Sequence, residues 1–508
     1  MSRHPVRDSS EFKELLERLA VVDDLARAAA VLRWDMETYM PPGGAGSRSQ
    51  QVGTLRRLSH QHFTDPRTGE LLHRLAGVVQ DLPYDSFEAS LVRRALRDYE
   101  RATRVPARLV GELGEATALA SHAWARARSA NDFASFAPYL ERNLALLREL
   151  ADRLGYEQHP YDALLDEYEP GMRLSDIEPL FEKLRDALVP LVQAISRRAG
   201  MVDDSLLHQP YDEQRQWQLT LEALKAIGYD FERGRQDRSA HPFTTTLGFG
   251  DVRLTTRIDP QDFSSALFSS MHEGGHALYE QGIPEELART PLGDAASLGT
   301  HESQSRLWEN VIGRSREFWR FFLPKAQALF PDQLGKADVE TIYRAVNRSR
   351  PGEVRTEADE VTYNLHIFLR LELEKELLTG RLAVKELPEA WNAKMESYLG
   401  IRPRDDAHGV LQDIHWSQGM IGYFPTYALG NVLSVQFFDQ ARSERPEILE
   451  AVAHGEFQPL LSWLRERIHR HGSKFTPKEL VERVTGSPIR VEPYLAYLQR
   501  KYAELYGL

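Results

Sequence analysis

Asp259-Pro260-Gln261-Asp262-Phe263-Ser264-Ser265-Ala266-Leu267-Phe268-Ser269-Ser270-Met271-His272-Glu273-Gly274-Gly275-His276 is the stretch on which the reading of this chain turns. Phe263, Leu267 and Met271 recur every four residues, which is helical spacing, and Gly282 provides a stop. The same stretch predicts the helix start: Asp259 as N-cap, Pro260 at the first helical position and Asp262 in the first turn. On that helix His272 and His276 lie on one face about one turn apart, so both imidazoles can reach one metal ion. Glu273 sits beside them, placed to take a proton from water at that metal. A His-Glu-x-x-His match alone occurs by chance in a chain this long about once in 20, so the helical context carries the weight. Gly274 and Gly275 inside the helix cost roughly 1 kcal/mol each relative to alanine. Close approach of a substrate or a neighbouring backbone to the metal face explains them, with tight helix packing as the alternative.

A catalytic zinc needs a third protein ligand and an open position. Downstream, Gly299-Thr300-His301-Glu302-Ser303-Gln304-Ser305 precedes another helical run. Glu302 is the expected third ligand and His301 the rival. Neighbours on a helix point about 100° apart, so one of the two ligates. Two His and one Glu suit zinc, with cobalt or manganese able to substitute.

Outward from this helix, most of the 508-residue chain shows helical periodicity. Phe12, Leu15, Leu16 and Leu19 form one face, and similar runs cover about 86–102, 106–129, 137–154, 176–198 and 211–227. Others follow near 304–330, 338–347, 360–379, 388–398, 432–453 and 457–471. Strands do not alternate with helices, which argues against a doubly wound α/β fold. The exception is Thr244-Thr245-Thr246-Leu247 and Val252-Arg253-Leu254-Thr255-Thr256 around a Gly-rich turn, a hairpin signal next to the metal motif. A sheet edge there can hold an extended peptide, or the hairpin is purely structural. A chain this long exceeds one core, so at least two lobes sharing a groove are expected.

Composition narrows the function. With 42% hydrophobic and 27% charged residues the chain is an ordinary packed protein. Its net charge of −12 argues against general binding to nucleic acid or anionic membranes. The absence of cysteine removes disulfides, thiolate metal sites and a cysteine nucleophile. Met1 to Gln50 opens with mixed charges (Arg3, His4, Arg7, Asp8) and lacks the apolar core of a signal peptide, so a cytoplasmic location is expected.

Several ordered motifs together resemble the carboxypeptidase Taq family of zinc metallocarboxypeptidases. They are His241-Pro242-Phe243, Asp251-Val252-Arg253-Leu254-Thr255, His272 to His276, His301 to Gln304, Val354-Arg355-Thr356-Glu357-Ala358-Asp359, and Gly409 to Trp416. Similarity also runs through Trp34 to Gln51, Tyr161 to Asp166 and Gly422 to Tyr427. The resemblance implies a mainly α fold with two helical lobes around a deep substrate groove and a small β-hairpin or sheet near the zinc. That is a zincin architecture like those of neurolysin and angiotensin-converting enzyme. The whole chain, 1–508, would be one catalytic unit, with an N-terminal lobe near 1–235 and a zinc-bearing lobe near 236–508. It further implies release of single residues from peptide C-termini, broad specificity, a homodimer, Glu302 as third ligand and Glu273 as general base.

The remaining roles stay open in the sequence. A free C-terminal carboxylate calls for an arginine fork. Arg355 is preferred over Arg253, with a structural ion pair to Glu357 or Asp359 as the alternative for Arg355. His415 and Tyr423 are expected to stabilise the oxyanion, Tyr427 being the alternative tyrosine. His241 lines the substrate site or caps the hairpin entry, whereas His366 reads as a buried helix histidine. The rival functions are a zinc endo-oligopeptidase acting on short peptides, and a helical scaffold with a vestigial motif.

Overall fold

A computed structural model describes residues 5–508; Arg3 and His4 of the charged start lie outside the described residues. The fold is mainly α. Six of its helices frame the site: α1 (Ser10–Thr38), α2 (Glu213–Ile227), α3 (Phe263–Gly282), α4 (Leu298–Arg306), α5 (Tyr363–Thr379) and α6 (Pro425–Glu444). Three strands, β1 (Gln236–Arg238), β2 (Thr244–Gly248) and β3 (Asp251–Thr256), form one small sheet in the order β1-β3-β2. The expected hairpin is the antiparallel β2–β3 pair, with Thr244 opposite Leu254. The polar β1, parallel to β3, has no apolar alternation and was not foreseen.

The start of α3 differs from the sequence reading. Asp262, not Asp259, is the N-cap: its Oδ1 accepts from the backbone N–H of Ser264 (2.8 Å) and Ser265 (3.2 Å). Pro260 therefore lies in the preceding turn, where Asp259 Oδ1 accepts from Gln261 N. The run near 304–330 is also not one helix. It divides into α4, a π-helical turn Leu307–Ile312 and a separate helix Arg316–Leu329 capped by Ser315.

Helices Ala45–Phe63, Pro66–Val78, Pro477–Thr485 and Glu492–Tyr506 add to those expected. Ala45–Phe63 buries only Val52, so it has no apolar stripe for periodicity to detect. It is held to α1 by polar bonds, among them Arg48 Nη1 to the Leu32 carbonyl (3.0 Å) and to Asp35 (2.6 Å).

One continuous set of buried apolar side chains runs from Val6 to Tyr506. At its centre α3 packs against α2, β3 and α4, and α4 runs along α6. Glycines set the closest of these approaches. A Cβ on Gly275 would stand 2.5 Å from the Gln304 carbonyl oxygen and 2.6 Å from Ser305 Cα. On the far side of α4, a Cβ on Gly430 of α6 would stand 2.4 Å from Glu302 Cγ. Gly274 instead faces Leu224 Cδ2 of α2 (2.6 Å). The paired glycines thus serve helix packing, and that packing carries Glu302 to the histidines. Among the described residues no helix is long and apolar enough to cross a membrane.

Candidate metal centre

The two histidines of α3 meet the first carboxylate of α4. Glu302 Oε2 lies 3.6 Å from His272 Nε2 and 3.3 Å from His276 Nε2. Among the described residues this is the one group of three potential ligands whose atoms all lie within 4.8 Å of one another. Two half-buried imidazoles and one buried carboxylate, converging on one point, are a donor set that fits a divalent metal.

The surrounding shell is charged and ordered. His272 Nδ1 meets Glu309 Oε2 at 2.8 Å, which leaves Nε2 as the ligating nitrogen. Glu309 stands on the π-helical turn after α4, seven residues beyond Glu302. Arg306 Nε donates to Glu302 Oε1 (2.7 Å), and its Nη1 lies 3.4 Å from Glu309 Oε2. Burial would raise the Glu302 carboxyl, but Arg306 and then the two histidines hold it well below the usual carboxylate range. For Glu309 burial is likewise outweighed, by the bond to His272 and by Arg306, and its pKa falls to about 2. Both carboxylates are ionised wherever a metal would bind.

His301 does not join this group. Its Nε2 meets Glu280 Oε1 at 2.9 Å, and its ring stacks on His276. Of the two adjacent residues, only Glu302 points at the histidines.

Glu273 is 8% exposed and is tied to the sheet. Thr244 Oγ1 of β2 donates to Glu273 Oε2 (2.7 Å) and also reaches its carbonyl oxygen (2.9 Å). Burial raises the Glu273 pKa above its ordinary value, the direction a general base working near neutral pH needs. The hairpin that looked either structural or peptide-holding therefore has a defined contact: it orients the carboxylate beside the metal ligands.

A second buried cluster surrounds Asp413. Arg355 Nε and Nη2 donate to Asp413 Oδ1 (3.0 and 2.7 Å), and Arg370 Nε of α5 donates to Asp413 Oδ2 (2.7 Å). Arg355 is only 6% exposed, and its partner is Asp413, not Glu357 or Asp359. Asp359 instead accepts from Ser349 and from the backbone of Arg350, Val361 and Thr362. A pairing across 58 residues leaves no local signature in the sequence. Two arginines on one aspartate leave a surplus positive charge.

The predicted oxyanion residues lie against this cluster. His415 Nε2 is 3.3 Å from Tyr427 OH, and its Nδ1 is 3.8 Å from Asp413. Burial lowers the His415 pKa to about 4, the two arginines adding to it against Asp413, so the ring is neutral at physiological pH. Tyr423 packs edge-on to Tyr427 at 5.3 Å, and burial, then the charge of Glu302, pushes its pKa up to about 12. It remains a phenol, able to donate. Tyr363 joins the two clusters, its OH accepting from Arg355 Nη1 (2.8 Å) while the Arg306 guanidinium lies over its ring at 4.4 Å.

Arg253 stands apart. It grips Asp251 with Nε and Nη2 (both 2.8 Å) and lies over Trp34 of α1 at 4.3 Å, so it orders the hairpin. His241 is exposed at the entry to β2, its carbonyl accepting from Ser239 Oγ. His366 is fully buried, and burial, then Arg370 and Arg355, keeps it neutral. Sequence reasoning missed Glu309, Arg306, Arg370 and Thr244. Glu309 and Arg306 were findable, lying seven and four residues beyond Glu302 on one helical face.

Two histidines and a glutamate meeting beside a buried carboxylate, on a helical fold, are the metal donors and the proton acceptor that a metallopeptidase requires. The chain belongs to the carboxypeptidase Taq (M32) metallopeptidase family, whose sequence pattern matches residues 14–502. It is 47% identical to thermostable carboxypeptidase 1 of Thermus thermophilus, over 98% of this chain and 99% of that protein. It is 39% identical to carboxypeptidase 1 of Bacillus subtilis, over 98% of each chain. The crystal structure of the M32 carboxypeptidase from Deinococcus radiodurans superposes with a TM-score of 0.95 at 43% identity, covering 98% of this chain and all of that one. The protein is a metallocarboxypeptidase, a peptide hydrolase.

Proposed function

We propose that this metallocarboxypeptidase uses zinc, held by His272, His276 and Glu302, to release single C-terminal residues from peptides with broad side-chain tolerance. The convergence of three donors within 4.8 Å beside the Thr244-tethered Glu273 carries the reading. Cobalt or manganese can substitute with this donor set. When bound, the metal supplies Lewis acidity that polarises the scissile carbonyl and lowers the pKa of water towards ~7.

The chain's own residues supply the rest. Glu273 takes one proton from the attacking water and delivers it to the leaving nitrogen as the peptide C–N bond breaks; the second water proton passes from the new carboxyl group to the amine, so the products are a carboxylate and an ammonium. Thr244 occupies Oε2 of that carboxylate, which leaves Oε1 to carry the proton. Tyr423 and the neutral His415 are donors for the carbonyl oxygen as it gains charge, with Tyr427 bonded to His415 behind them. Arg355, in the cluster with surplus positive charge, receives the substrate's terminal carboxylate. Arg253 and His241 serve the substrate site only at its hairpin margin. We further propose a homodimer with a substrate groove between an N-terminal and a zinc-bearing lobe, as the family resemblance implies, and a cytoplasmic location, as the mixed-charge start of the sequence suggests.

The test is product analysis by mass spectrometry on one short peptide, as free acid and as C-terminal amide, with added zinc or cobalt and Glu273→Gln as control. Successive single-residue losses from the free acid only are expected. Internal cleavage of both forms would make this an endo-oligopeptidase and remove the role given to Arg355.

A further inference from the structure

The two metal-site histidines are held in different ways. A ligating imidazole ordinarily fixes its ring by donating the distal N–H to a carboxylate or carbonyl. His272 does so through Glu309. His276 does not: its Nδ1 is buried and has no hydrogen-bond partner. What touches the ring instead is a second imidazole. His301 lies parallel to it, centroids 4.4 Å apart and planes 17° from each other.

His301 is itself fixed on its far side. Its Nε2 meets Glu280 Oε1 (2.9 Å), and Glu280 Oε2 accepts from Thr246 Oγ1 of β2 (2.9 Å). Its ring also stacks on Tyr279 at 5.5 Å, which stacks in turn on His469 at 4.8 Å. Thr244 and Thr246 stand two apart on β2, so their hydroxyls share one face of the strand. One reaches Glu273 and the other reaches, through Glu280, the ring behind His276.

We infer that His301 is a positioning residue for the metal ligand His276, its stacked ring, anchored by Glu280 and Thr246, doing for His276 what Glu309 does for His272. A flat ring stacked on His276, and held in place through Glu280, blocks rotation of the His276 imidazole about its side-chain bonds. Nε2 stays aimed at Glu302 without a hydrogen bond at Nδ1.

The inference rests on the metal reading above, and the experiment separates the two. Zn²⁺ affinity of the purified full chain is measured by competition with a chromophoric chelator, and the Co²⁺ form by its visible absorption. Glu302→Ala tests the metal reading alone: unchanged affinity in that variant overturns the site itself. His301→Leu and His301→Phe both fill the space left by the imidazole, so both keep the packing of α4. His301→Leu is expected to weaken Zn²⁺ binding by about 10–100-fold, the usual cost of losing an outer-shell partner, and to broaden the Co²⁺ bands. His301→Phe, which keeps a flat ring, is expected to recover several-fold of that loss. Wild-type affinity in His301→Leu overturns the inference while leaving the metal site intact. Equal loss in both variants overturns the stacking role.

Discussion

Alanine at Gly275 sets two effects of known size against each other. Helix propensity alone favours alanine over an interior glycine by ~1 kcal/mol. Sterically, the new Cβ would stand 2.5 Å from the Gln304 carbonyl oxygen and 2.6 Å from Ser305 Cα, both backbone atoms of α4. Ordinary contact begins at 3.4 Å, so α4 must retreat by roughly 1 Å. Overpacking of this kind costs ~1–3 kcal/mol, and with backbone on both sides the upper part of that range applies. The steric term wins, for a net loss of about 1–2 kcal/mol. The retreat also carries Glu302 away from His272 and His276, and a misplacement of ~1 Å costs ~10²-fold in rate. Gly274→Ala is the internal control, because its Cβ meets the methyl ends of Leu224 and Ile227, which can turn aside. Thermal unfolding of the metal-free protein and Zn²⁺ titration read both quantities. Gly275→Ala should lower the unfolding midpoint and weaken zinc more than Gly274→Ala does. If Gly275→Ala were more stable than wild type with unchanged zinc affinity, the argument that packing places the third ligand would fail.

Three further outcomes are expected. Glu273→Gln keeps the metal ligands but removes the proton acceptor, so kcat should fall by ~10²–10⁴ at undiminished zinc affinity, read by steady-state kinetics alongside metal titration. Arg355→Lys replaces a planar fork by a point charge, and its KM for free-acid peptides should rise more than tenfold, on the order of 1.4 kcal/mol, with a smaller change in metal affinity. Buried Glu169 accepts from the Gly299 N–H at the start of α4, and burial pushes its pKa up to about 8. Above its ordinary value the unfolded chain has released this proton while the folded one keeps it, so the contribution is full at acid pH and is lost as pH rises towards 8. Glu169→Gln should therefore flatten the fall in unfolding midpoint between pH 5 and 8; an unchanged slope would contradict the assignment.

How much could be read beforehand follows from range. Helices with an apolar stripe were legible, because periodicity is a local pattern: Phe87–Arg104, Ala107–Ala130 and Glu213–Ile227 lie within a few residues of the predicted runs. Ala45–Phe63 was invisible because polar bonds to α1 hold it, with almost no burial. Three-residue β1 was invisible because a polar strand gains its place only by pairing with β3. The N-cap of α3 was misplaced by three residues because both Asp259 and Asp262 satisfy the capping pattern, and only the backbone bonds to Asp262 decide between them.

The sequence by itself determined the pair of histidines on one helical face, the adjacent Glu273 and the mainly α class, since each depends on spacing within a few turns. Tertiary structure decided how Glu302, the third ligand expected from the sequence, is brought to them, because that is set by how closely α4 approaches Gly275 and Gly430. It decided likewise that Arg355 pairs with Asp413 and that Thr244 holds Glu273, contacts made across 58 and 29 residues. Local periodicity constrains which face of a helix is buried. It carries no term for the distance between two helices, and at this site that distance, set by the absence of two Cβ atoms, assembles the donors.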